Sequence, residues 1–294
     1  MENIYINSVS EYIERLDALK AKYPNNPLKD NPTKGTFLYR GMENDKYTLL
    51  PSVFRSTYAQ PKYLIFSDEQ NIIQKFIQNA SPYISRLDFY DAVRWAELAQ
   101  HHGVPTRLLD WTANPLVALY FACESKKKTT AVIWILHTWN FNYYVKRHDP
   151  NRSIDSNNEE AVKALLTTKY SDGKAFQKLW KWPVIYTPYY FDHRMSAQAS
   201  WFMAWGTNRK PLEDMIDKRC YMSCIDEGHS TESPQQEKFI CKFLVRHPEK
   251  EKIMRQLDQM GIHAGTLFPG LDGIGKHIEY TFRVDCNDTV ESTE

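Results

Sequence analysis

The stretch Gln100-His101-His102-Gly103-Val104-Pro105-Thr106-Arg107-Leu108-Leu109-Asp110-Trp111-Thr112 joins two apolar segments and carries the densest polar chemistry of the chain. Upstream of it, Phe89, Val93, Ala96 and Gln100 recur at steps of 4, 3 and 4, so they share one face of a helix. Gly103 suits the left-handed position that ends such a helix, and Pro105 prevents its continuation. Downstream, Asn114-Pro115 is an N-cap followed by a first-turn proline. The segment it opens, Leu116 to Glu124, is apolar nearly all round, which predicts a buried helix. Charged, imidazole and amide groups held between two buried helices are costly unless they are paired. The stretch is therefore either a closed structural network or a ligand site. In the first case Arg107 and Asp110 form an internal ion pair and His101 caps a helix end.

Outward from this centre, Ala131 to Leu136 reads as a core strand from its β-branched content. Phe37-Leu38-Tyr39-Arg40-Gly41 reads as a short strand ending in a turn. Tyr12, Ile13, Leu16 and Leu19 predict a helix over Ser10 to Lys22, with Ser8 or Ser10 as its cap. Tyr23 to Lys34 is polar and proline-rich, a loop. Ile72, Ile73, Phe76 and Ile77 predict an amphipathic helix over Asp68 to Asn79. In the second half, Pro183 to Tyr190 reads as a strand and Lys238 to Val245 as a strand of alternating character. Pro248 to Met260 predicts a charged helix, and Thr266 to Ile278 a turn and short helix. Residues 207–236 read as an insertion or flexible connection. With no internal repeat and no linker, the expectation is one domain over residues 1–294. The fold class expected is α+β, a mixed or antiparallel core sheet flanked by helices.

Composition bounds the partners. The 37 basic and 36 acidic side chains nearly cancel, so no global field gathers nucleic acid or acidic lipid. Any such contact has to come from a local patch. The five cysteines are odd in number and dispersed, which predicts reduced thiols and a cytoplasmic location. The first residues lack a basic stretch followed by an apolar one, and the longest apolar runs are too short for a bilayer. A soluble protein without membrane contact is expected.

Three local patterns resemble sites. Gly270-Leu271-Asp272-Gly273-Ile274-Gly275-Lys276-His277 nearly spells a phosphate loop, but a histidine replaces the magnesium-binding hydroxyl. It reads as a turn and helix start. Cys220, Cys224 and His229 do not have the spacing of a zinc site, so no metal is expected. Lys126-Lys127-Lys128 follows a helix, where cations complement the dipole.

Tyr39-Arg40-Gly41, the central stretch running on to Ala122, Arg194-Met195-Ser196-Ala197-Gln198 and Leu267-Phe268-Pro269-Gly270-Leu271-Asp272-Gly273 together resemble the FRG-domain family, over about residues 30–280. Two positions depart from that pattern: His102 stands where an aromatic is usual, and Ala199-Ser200 where glycine is common. The resemblance extends to ADP-ribosyltransferases and implies an NAD-dependent transferase, with NAD as substrate. On this likeness Arg40, in a Tyr-Arg-Gly stretch, holds the NAD diphosphate or ribose. Leu109 to Thr112, followed by Ala118 and Phe121, matches the second element, and Gln198 or Glu237 supplies the third. The implied catalytic residues are Arg40, Thr112, Gln198 and Glu237. The implied cofactor-binding set is Tyr39, Arg40, Gly41, His101, Arg107, Asp110, Trp111 and Arg194. The implied role is a toxin or defence effector acting on a nucleic acid or protein, held in check by a partner protein. The alternative is a non-enzymatic module holding a nucleotide, nucleic acid or protein in the same cleft. A clear carboxylate in the cleft favours the enzyme; a cleft of Arg, His and Gln alone favours binding.

Overall fold

The computed structural model of the chain describes residues 3–23, 37–55, 64–84, 91–149, 158–168, 172–223 and 237–291. Seven strands form one mixed sheet: β1 (Ile4–Tyr5), β2 (Phe37–Met42), β3 (Leu108–Thr112), β4 (Ala131–His137), β5 (Val184–Tyr186), β6 (Ser200–Ala204) and β7 (Ile240–Val245). Their order is β1-β7-β4-β2-β3-β6-β5. β1 runs parallel to β7, and the other neighbours are antiparallel. The helices are α1 (Val9–Lys22), α2 (Leu64–Ala80), α3 (Ala92–His101), α4 (Pro115–Cys123), α5 (Thr138–His148) and α6 (Asn158–Thr167). Then follow α7 (Lys174–Gln177), α8 (His193–Ala197), α9 (Leu212–Met215), α10 (His247–Gln259), α11 (Ala264–Leu267) and α12 (Leu271–Glu291). The architecture is α+β, as the sequence predicts. No described helix is long and apolar enough to cross a membrane.

Three packed clusters clothe the sheet. α1, α4 and α10 bury Tyr12, Leu16, Val117, Leu119, Ile253 and Leu257 against Tyr39, Ile133 and Phe243. α5 and the segment after β6 cover Leu38, Trp134, Met203 and Leu244 with Phe141, Tyr144 and Leu212. α3 and α6 pack Trp95, Ala96, Val162 and Leu165 onto Leu108, Phe202 and Ala204. α4 earns its central place from its composition: six of its nine residues are buried, so it has no polar face to turn outward. Its axis lies close to β2. A Cβ added to Gly41 would stand 1.8 Å from the Ala118 carbonyl oxygen, so only glycine permits this approach.

Several expectations need correction. β7 is buried at five of its six positions and does not alternate, because it lies between β1 and β4 with helices on both faces. Within 207–236, the described part is packed rather than loose: Leu212, Cys220 and Met222 are buried, and Met222 N–H donates to Ile240 at 2.8 Å. Residues 224–236 lie outside the described residues, as do Phe89 and most of the loop expected at Tyr23 to Lys34. The last helix runs 21 residues rather than a short turn. The strand expected over Pro183 to Tyr190 shortens to β5, since Tyr189 and Tyr190 are exposed.

Candidate functional site

The site arises where the sheet parts. β2 pairs with β4 at six consecutive positions but with β3 only at Tyr39↔Thr112. β3 meanwhile pairs with β6 along its whole length. The β2 and β3 backbones therefore diverge beyond one contact, and carbonyl groups on the β2 side of β3 lose their strand partner. Arg40 fills this gap. Its Nη1 donates to the Asp110 carbonyl oxygen at 2.5 Å and stands 3.8 Å from the Asp110 carboxylate. The guanidinium is 16% exposed and its Nε makes no hydrogen bond. Burial pulls Arg40 below its ordinary pKa, with Asp110 opposing, yet arginine stays charged at any physiological pH.

A cleft of about 410 Å³ opens around this residue, within the range of small-molecule sites. Its walls come from β2, β3, β6, α3 and α8. α3 presents Glu97, Gln100 and His101 to it, an i, i+3, i+4 set on one helical face. The α3 N-terminus is fixed by Asp91, whose side chain accepts from the Val93 and Arg94 N–H groups. At its other end, Gly103 takes φ +80° and ends the helix, which aims the last turn at β3. Gln100 ties the parts together. Its Oε1 accepts from Thr106 Oγ1 at 2.6 Å, and its Nε2 donates to Asp110 Oδ2 at 3.1 Å. A chain of hydrogen bonds thus runs from the α3–β3 loop through Gln100 and Asp110 to Arg40.

Glu97 is the acid that sequence reading passed over. It is 2% exposed yet borders the cleft, with the buried Tyr186 hydroxyl beside its carboxyl. Burial pushes its carboxyl up to about 8, so it is largely protonated at neutral pH. The signal was available, since Glu97 stands three and four residues before Gln100 and His101, on the face already identified. Two further carboxylates, Glu43 and Glu124, stand at the rim. Glu43 is committed to Lys127, whose ammonium holds it down at about 2.

Cationic groups border the same cleft. Arg194 borders the cleft with its guanidinium 4.7 Å over the Phe268 ring, and Arg55 also faces the space. His101 Nε2 lies 3.0 Å from Asp192 Oδ2. Burial lowers the His101 pKa, and Asp192 opposes it.

Of the residues expected at the site, Tyr39, Arg40, Gly41, His101, Asp110, Trp111, Thr112, Arg194 and Gln198 border this cleft. They differ in what they can do there. Tyr39 is 1% exposed and its side chain belongs to the core under α4. Trp111 is likewise buried, in the cluster under α5, and does not offer a free ring for stacking. The Thr112 hydroxyl donates to the Gln198 carbonyl at 2.6 Å and accepts from Asn114 N–H, so it locks the turn into α4. The Gln198 amide donates to the Leu267 carbonyl at 2.9 Å, and Gln198 caps α8 at its C-terminus.

Two expected residues lie elsewhere. Arg107 is fully buried against Glu69 of α2: Nε and Nη2 donate to Oε2 at 2.8 and 2.6 Å, and the backbone N–H to Oε1 at 2.8 Å. The expected Arg107–Asp110 pair does not form, because residues three apart on an extended chain point to opposite faces. Asp110 instead exposes 58% of its side chain. Glu237, before β7, pairs with Arg147 of α5 at 2.7 Å and does not border the cleft.

The chain matches no curated protein and no solved structure. Residues 35–131 match the family model of the FRG domain. The match takes in β2, α2, α3, β3 and α4, and with them Arg40 and the whole stretch from Gln100 to Thr112; the blocks around Arg194 and Leu267 lie beyond it. Over this segment, about a third of its length, the chain is similar to the FRG domain.

Proposed function

We propose that the cleft binds NAD and transfers its ADP-ribosyl group to a macromolecule. The observation that carries this reading is the joint placement of Arg40, across the opening between β2 and β3, and the buried Glu97 carboxyl in the same cleft. A guanidinium with one edge unpaired suits a diphosphate, whose oxygens accept its parallel N–H groups. Cleaving the nicotinamide–ribose bond sends the bonding electron pair to nicotinamide and leaves positive charge on the ribose. A carboxylate facing that charge stabilises it most where water is excluded. Burial keeps Glu97 largely neutral at pH 7; a cationic nicotinamide ring beside it favours loss of its proton. This gives Glu97 the part expected of Gln198 or Glu237, whose polar groups are engaged elsewhere. The acceptor, as nucleic acid or protein, and a toxin or defence role belong to the same proposal and follow from the family likeness alone.

The test is NAD labelled in its adenylate part, incubated with the purified chain and a crude lysate. Nicotinamide release with label on a macromolecule is expected for the wild type, and loss of both in Arg40→Lys and Glu97→Gln. Absence of NAD binding and turnover in the wild type, with and without lysate, sinks the transferase reading. The binding-module alternative draws support from the engaged hydroxyl of Thr112 and amide of Gln198, and it predicts NAD binding without nicotinamide release.

A further inference from the structure

Beside the cleft, α10, α11 and α12 bring Asp258, His263 and His277 together. One ligand atom from each lies within 4.8 Å of the other two. The His263 and His277 rings stack with centroids 3.7 Å apart and planes at 12°. His277 Nδ1 stands 3.4 Å from Asp258 Oδ1. Asp258 Oδ1, His263 Nδ1 and His277 Nδ1 are all shielded from solvent, and none makes a hydrogen bond.

Shielded nitrogen and oxygen atoms normally find partners, so three unpaired ones at one point require an explanation. Proton sharing covers only part of it. A single His–Asp ion pair leaves the second imidazole unpaired, and two rings stacked this closely cannot both carry charge without strong repulsion. One cation takes up all three lone pairs once the His263 and His277 rings turn out of their parallel stack, in which their in-plane lone pairs do not converge. Ligand bonds of about 2.0–2.1 Å in a tetrahedral site give ligand–ligand edges of about 3.4 Å. The Asp258–His277 separation of 3.4 Å already has that length. Two imidazoles and one carboxylate suit zinc and its first-row neighbours better than magnesium or calcium, which take oxygen ligands, and they leave a fourth position for water.

We propose that Asp258, His263 and His277 bind one divalent first-row transition metal, zinc above all, which fastens α10, α11 and α12 to one another. The site differs from the Cys220, Cys224 and His229 set considered from the sequence. Its consequence reaches the cleft through α11. The Leu267 carbonyl accepts from Gln198, and Phe268 lies under the Arg194 guanidinium. Fixing α11 therefore fixes the wall on which Arg194 rests.

The experiment uses the full chain stripped with a chelator and titrated with zinc alone, followed by calorimetry and thermal melting. One zinc per chain is expected, with a melting temperature raised by several degrees at saturation. His277→Ala and Asp258→Asn, checked for folding by circular dichroism, should bind zinc at least about tenfold more weakly. The cobalt-loaded wild type should show ligand-field bands without a thiolate charge-transfer band. The proposal is overturned if the stripped chain takes up no stoichiometric zinc, or if folded His277→Ala keeps wild-type affinity. It is also overturned if cobalt shows thiolate ligation, which assigns the metal to the cysteines. None of these readouts depends on NAD chemistry.

Discussion

Ala199 has a φ of 45°, the only positive value outside glycine among the described residues. It links α8 to β6, and its carbonyl accepts from Ala113 N–H at 3.0 Å, so the conformation is held from both sides. A Cβ in the left-handed region costs about 1–2 kcal/mol, part of which glycine's greater freedom in the unfolded chain offsets. Ala199→Gly should therefore stabilise the protein, by about 0.5–1 kcal/mol. A lower melting temperature for this variant would count against the backbone described. The sequence departure at Ala199 thus marks strain, where family likeness alone gave only an irregularity. Arg40 makes a sharper demand. Arg40→Lys keeps the charge but loses the planar fork, so NAD affinity should fall about tenfold or more while the fold survives. An equilibrium titration of both proteins decides it, and equal affinities remove Arg40 from the diphosphate. Asp110 was legible as a site residue but not in its role. The motif shows that Arg107 and Asp110 are close in sequence; it takes the pleat to show that they diverge. Asp110→Ala should shift the melting temperature little, against the clear loss a buried pair would give.

At the level of elements, the sequence was clearest where one period dominated. The caps Ser8 and Asn114, the end of α3 at Gly103, and the strands β2 and β4 all follow from local chemistry. Contacts between distant elements were not legible. Glu69 stands 38 residues before Arg107, and nothing local to either predicts their meeting. Yet this pair joins α2 to the start of β3 and so sets where the cleft wall begins. Both side chains are 1% exposed. Removing one partner from such a pair leaves a buried charge uncompensated, at a cost of about 3–5 kcal/mol. Glu69→Ala should lower the denaturation midpoint by an amount in this range, measured by urea unfolding at constant slope. Arg107→Met with Glu69→Leu should recover much of the loss, because an apolar pair of similar volume needs no compensation. A single variant as stable as the wild type would mean that the pair is solvated.

For the molecule as a whole, two buried titratable groups set opposite limbs of the pH dependence of stability. His137 closes β4, 1% exposed, where its Nδ1 accepts from Asn140 N–H and caps α5. Burial lowers its pKa to about 4. The unfolded chain then binds more protons than the native one between the ordinary histidine value and 4, so stability falls as pH drops through that window. Glu97 acts in the other direction. Burial raises its carboxyl from 4.5 to about 8, so the native state holds the extra proton. Its contribution is complete below the unfolded value and is lost as pH rises through about 8. Each limb has a limiting slope of about 1.4 kcal/mol per pH unit. Thermal melts from acid to mildly alkaline pH should therefore show a broad top where the two windows overlap and their slopes cancel, between the ordinary carboxyl and histidine values, with stability falling on either side. Glu97→Gln removes the titration while keeping the side chain's shape, and it should flatten the alkaline limb alone. His137→Asn keeps a cap for α5 and should flatten the acid limb, leaving the alkaline one unchanged. A wild-type profile that stays level between pH 6 and 8 would mean that Glu97 is solvated. The cleft would then lack the shielded carboxyl that ADP-ribosyl transfer needs, and the stability curve would have tested the proposed chemistry without any substrate.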